Sequence, residues 1–82
     1  MIAPPKPGTL VWAAGGSCLW KYSGPMPETS DSWSHKQFHS TMMCVVIAGS
    51  KHGMHGTRNA GSQVVSPLGL GWVFNENLEP VL

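Results

Sequence analysis

The four histidines fall in two close pairs, His35 and His39 as H-x3-H, and His52 and His55 as H-x2-H. Neutral imidazoles ligate zinc or copper, and such spacings suit pairs of ligands. Cys18, Cys44, Met42, Met43 and Met54 could add soft donors. No cysteine stands at finger-like spacing from a histidine, however. Both pairs also lie among Ser, Gly and Lys, where a solvated imidazole needs no metal. Metal binding by His35, His39, His52 and His55 is therefore an alternative, and no cofactor is expected. Nucleophilic chemistry has little to work with. A serine with a histidine and Asp31, or Cys44 with His39, can be combined on paper, but no G-x-S-x-G elbow is present. Gly15-Gly16-Ser17 and Gly69-x-Gly71 are too short for phosphate loops and read as turn glycines. Glu28, Asp31, Glu76 and Glu79 sit in expected loops or at the chain end, so the chain is not expected to be an enzyme.

Lys36, Lys51 and Arg58, with His52 and His55 beside them, fall in two loops that flank one strand, with Trp33 and Phe38 nearby. They could form a weakly positive rim for nucleic acid. Against this, five Lys and Arg meet four Asp and Glu, which leaves a net charge of +1 and no strong basic footprint. The aromatic residues divide more usefully. Trp12, Trp20, Trp72 and Phe74 lie on expected strands, and a small core must draw on some of them. Trp33 and Phe38 lie in a long loop, as a lid over the fold or as anchors for a partner. Trp20 and Tyr22 share one strand face with Cys18. Buried aromatic anchors dominate protein interfaces, so Trp33, Phe38, Trp20 and Tyr22 are the candidate protein-binding residues.

The elements that must hold these groups are short and β-like. Residues 1–8 form an extended arm stiffened by Pro4, Pro5 and Pro7. Thr9–Ala13 and Ser17–Tyr22 read as strands around a Gly15-Gly16 turn, and together they could form a hairpin. Residues 23–41 read as a long loop, broken by Pro25 and Pro27. Met42–Ala48 is apolar on both faces, which predicts a central strand covered on both sides. After a Gly-rich polar loop come the strands Ser62–Ser66 and Leu70–Phe74, separated by Pro67-Leu68-Gly69. Asn75–Leu78 suits one 3₁₀ turn. Residues 1–82 therefore make one all-β domain of five or six short strands. Cys18 and Cys44 permit one disulfide, but their apolar neighbours suit free thiols in a reducing compartment. No apolar signal region opens the chain, and no run is long enough to span a bilayer.

The run Gly69-Leu70-Gly71-Trp72-Val73-Phe74-Asn75-Glu76-Asn77-Leu78-Glu79-Pro80-Val81 resembles the ending of Src-homology-3-like (SH3-like) barrels. There a Gly, an aromatic and a branched residue form the fourth strand, followed by a 3₁₀ turn and a last strand ending in Val. Lys6-Pro7-Gly8-Thr9-Leu10-Val11-Trp12 is similar to the first strand of many such barrels. The pattern as a whole is closest to small SH3-like proteins of tailed bacteriophages. The resemblance implies a small SH3-like barrel whose long first loop precedes its central strand. It does not imply recognition of proline-rich peptides. Ala13-Ala14-Gly15-Gly16 replaces the Ala-Leu-Tyr-Asp-Tyr run of the peptide-binding members, and no Trp pair opens a later strand.

Only 11% of the residues are charged, against about a quarter in ordinary soluble domains. Ten Gly and seven Pro with so little charge would suit disorder, but four Trp and the Val-rich strands do not. A folded domain with so few charges is poorly suited to life as a free monomer. The expected role is thus a non-enzymatic protein-interaction module, and the resemblance to small phage proteins implies one packed in an assembly such as the virion, as a decoration or connector piece. The expected partners are other protein chains, further copies or phage structural proteins, with the virion or host cytoplasm as location and no membrane. A nucleic-acid-binding or host-regulatory role through the His, Lys and Arg loops is the alternative.

Overall fold

Short runs of β-favouring residues, punctuated by Gly and Pro, set most of the strands of this chain. A computed structural model describes residues 4–21, 34–49, 54 and 59–81. It places seven strands in the order β1 (Leu10–Ala13), β2 (Cys18–Lys21), β3 (Ser34–Gln37), β4 (Met42–Gly49), β5 (Gly61–Ser66), β6 (Gly69–Phe74) and β7 (Leu78–Pro80). A 3₁₀ turn, Asn75–Asn77, separates the last two. All pairings are antiparallel, and the sheet runs β3-β2-β6-β5-β4-β1-β7, leaving β3 and β7 as open edges. The expected all-β class is found, as one open seven-stranded sheet.

The core lies on one face of the curled sheet. Val11, Ala13, Leu19, Cys44, Val46, Val64, Val73 and Leu78 come from six different strands and are buried together with Phe38. One buried polar pair is built into this fold. Ser62 Oγ donates to Asn75 Oδ1 at 2.5 Å, while the Asn75 backbone N–H donates to Ala60 O at 3.0 Å. Asn75 thereby ties the 3₁₀ turn to the start of β5, and the pairing relieves the desolvation of two polar side chains.

Three expectations change. Thr9–Ala13 and Ser17–Tyr22 do not form a hairpin: β1 pairs with β4 and β7, whereas β2 pairs with β3 and β6. The turn between them has other partners. Ala14 N–H donates to Asn77 O at 2.9 Å, and Gly16 N–H donates to Phe38 O at 2.7 Å. Gly16 adopts φ 89°, a conformation open to glycine at little steric cost, which sends β2 away from β1. The expected loop over residues 23–41 contains β3, whose Ser34-His35-Lys36-Gln37 sequence gains its extended form by pairing with β2. The Pro-rich start is not extended throughout, because Thr9 N–H closes a turn onto Lys6 O and Gly8 N–H docks on Val46 O.

The central strand brings a further correction. β4 is not covered on both sides: Cys44 and Val46 are buried, but Met43, Val45 and Ile47, which alternate with them, are exposed.

Both thiols are free, and their settings differ. Cys44 sits in the core, where burial pushes its thiol above the ordinary value of 9.0. Cys18 is half-buried on β2. Thiolate formation at Cys44 thus opposes the fold. Cys18 is expected to react with iodoacetamide at least tenfold faster than Cys44 under native conditions, and both at similar rates in urea. Because the unfolded thiol ionises at lower pH than the folded one, the Cys44 contribution is fully present below pH 9.0 and is lost as pH rises through the folded value.

Candidate interaction surface

In an antiparallel ladder, residues opposite one another point to the same face. Leu10 faces Val45 across β1 and β4, Val45 faces Val65 across β4 and β5, and Val65 faces Leu70 across β5 and β6. Four aliphatic side chains therefore stand in one row across four strands, on the side opposite the core. At about 4.8 Å per strand the row is roughly 15 Å long. Trp12 faces Met43 in the adjoining row. Ile47, beside the register shift between Val46 and Ala48, extends the patch along β4. Their exposure runs from 37% at Trp12 to 52% at Leu70. The local cause is the same alternation that builds the core: each of these strands also places apolar residues at its outward positions.

The same face changes character towards β3. Gln63 faces Trp72, Trp72 faces Trp20, and Trp20 faces His35. The Trp20 and His35 ring centroids are 4.8 Å apart at an interplanar angle of 44°. Trp72 is only 9% exposed, so this aromatic band is much more closed than the aliphatic row. On the other side, Glu79 of β7 faces Trp12. The apolar patch thus has polar neighbours at its margins and no charge at its centre.

Next to the aromatic band is a cleft of about 490 Å³, lined by the Ala14–Cys18 segment, Trp20, Phe74 and Asn77. Among the described lining residues, Cys18 is the one with an ionisable side chain.

Of the expected site residues that are described, only Trp20 and His35 meet. Trp20 is half-buried on the outer face. Phe38, expected in a loop as a lid or a partner anchor, is instead completely buried among the core residues. Tyr22 and Trp33 lie outside the described residues, as do Lys51, His52, His55 and Arg58. His35 and Lys36 are consecutive on β3 and point to opposite faces, while His39 is exposed just after that strand. Among the described residues, no three His, Cys, Asp or Glu side chains converge as a metal site.

No family model, curated protein or solved structure matches the chain.

The sequence reading did not single out the aliphatic row. Its signal was present in Met42–Ala48, whose two apolar faces each require a cover. Only strand pairing reveals that the outward face of β4 is continuous with those of β1, β5 and β6. Among the described residues, no helix is long and apolar enough to cross a membrane.

Proposed function

We propose that the chain is a non-enzymatic protein-interaction module on an SH3-like scaffold, and that it works inside a larger protein assembly. The observation carrying this reading is the exposed row Leu10, Val45, Val65 and Leu70, widened by Trp12, Met43 and Ile47. Together these side chains expose on the order of 600 Å², the upper end of what a typical monomer leaves in one apolar patch. Such a patch on a chain with 11% charged residues favours association over life alone. The SH3-like reading is supported by the neighbour order β7-β1-β4-β5-β6, the β2–β3 hairpin in the connection from β1 to β4, and the 3₁₀ turn before β7. The narrower role, a decoration or connector piece of a tailed-phage virion, rests on the likeness of Lys6–Trp12 and Gly69–Val81 to small phage proteins. In that role the partners are phage structural proteins, and the location is the virion or the host cytoplasm.

Velocity sedimentation of an extract from the natural source tests the reading. The chain is expected to travel with a protein particle many times its own 8.8 kDa, and Val45→Lys/Val65→Lys is expected to leave that particle. If the chain in the extract sediments no faster than the purified chain does alone, the reading is wrong.

A further inference from the structure

We propose that the aliphatic row is the contact between two copies of this chain, packed sheet face on sheet face about a two-fold axis. The inference rests on the reading of this face as an interaction surface and names its occupant. Three observations favour a second copy.

The first is chemistry. None of the exposed side chains in the patch is charged, and the row itself offers no side-chain donor or acceptor. A partner recognised through charge has nothing to meet there. An isologous contact, by contrast, sets each apolar residue against a surface of the same kind.

The second is size. About 600 Å² from each copy gives roughly 1,200 Å² in total, above the ~1,000 Å² that a specific interface needs. The patch is thus large enough for a dimer of so small a chain without any further surface. Its geometry suits the purpose as well. Val45, Ile47 and Val65 are β-branched and stiff at χ1, so little rotamer freedom is lost on contact. Rows of such side chains interdigitate when two sheets stack about 10 Å apart.

The third is what the edges do. An open sheet can also associate by adding strands, but β7 carries Pro80 and β3 carries Lys36, both of which oppose edge-to-edge pairing. Self-association is therefore directed to the face.

Sedimentation equilibrium of the purified wild-type chain at about 100 μM, a range in which weak dimers are populated, reads the proposal directly. The expected mass is twice 8.8 kDa. Val45→Lys/Val65→Lys sets like charges opposite one another at the centre of the face and is expected to weaken the dimer more than about 100-fold. His39→Lys, at an exposed position outside the row, is expected to leave it unchanged. Oxidative footprinting of the wild type supplies a second measurement that does not depend on the variant folding. Met43 is expected to be protected at high concentration and reactive at low concentration. A wild type that stays monomeric overturns the two-fold contact while leaving the source-particle experiment to judge the interaction reading. A dimer in which Met43 stays reactive, or one that persists in the folded double-lysine variant, also overturns it.

Discussion

Phe38→Ala is expected to remove about 3–5 kcal/mol of stability, the usual range for deleting a buried aromatic ring from a core. Phe38 is the largest fully buried side chain among the described residues, with no exposed surface. Its backbone is committed as well: the Phe38 N–H donates to Ser17 O at 2.9 Å, and Phe38 O accepts from Gly16 N–H at 2.7 Å. The ring and the two hydrogen bonds together hold the end of β3 against the turn that opens β2. A domain of this length has a total stability of about 4–12 kcal/mol, so the substitution removes about a quarter of it or more. In urea titration the midpoint should fall far below that of the wild type, or the cooperative transition should vanish at 37 °C. Phe38→Leu keeps much of the apolar volume and should retain most of the stability. A loss under about 1 kcal/mol for Phe38→Ala would show that the ring is not part of the core, and would return it to the surface role that its place among Ser, His and Lys first suggests.

Phe38 also shows where a sequence of this kind stops being legible. Its neighbours Gln37, His39 and Ser40 are polar, so no local periodicity marks it as inward. Only the pairing of β3 with β2 brings it over the core. β3 is hidden for the same reason: Ser34-His35-Lys36-Gln37 has no apolar face, and its conformation comes from the strand beside it. The C-terminal third is far more transparent. Pro67 and Gly69 punctuate the β5–β6 connection, and Gly69 adopts φ 107° there. Leu70–Phe74 is an apolar run rich in strand formers, and Asn75–Asn77 is too rich in Asn and Glu to continue the strand, so sequence and structure agree closely. The interaction surface lies between these cases. Apolar residues at 43, 45 and 47 announce that both sides of β4 must be covered, but a single strand says nothing about whose side chains provide the cover. The core covers one side. The row formed with Leu10, Val65 and Leu70 emerges only when four strands are set in register.

Gly71→Ala is the second substitution with a large expected effect, about 1–3 kcal/mol through overpacking. Gly71 follows Leu70 on β6 and points to the core side, where Leu19 of β2 lies directly over it. A Cβ there would stand 2.7 Å from Leu19 Cγ and 2.8 Å from the Trp20 carbonyl oxygen. The leucine can turn aside, but the carbonyl belongs to the backbone of β2, so the strand itself must move. β2 meets β6 through the pair Trp20 and Trp72, and β3 is attached in turn to β2. The damage should therefore be local. Amides of β2 and β3 should exchange with deuterium faster, while those of β4 and β5 keep their protection. The aliphatic row lies on the opposite face, away from β2, so Gly71→Ala should still associate wherever the wild type does. Val45→Lys/Val65→Lys should show the converse, association lost with β2 and β3 keeping their protection, and with a modest fall in the urea midpoint because the two lysines face each other across β4 and β5. Uniformly faster exchange across β4 and β5 in Gly71→Ala would instead mean that the β2–β3 hairpin and the β4–β5 sheet unfold as one unit, and that a disturbance under Trp20 reaches the interaction face.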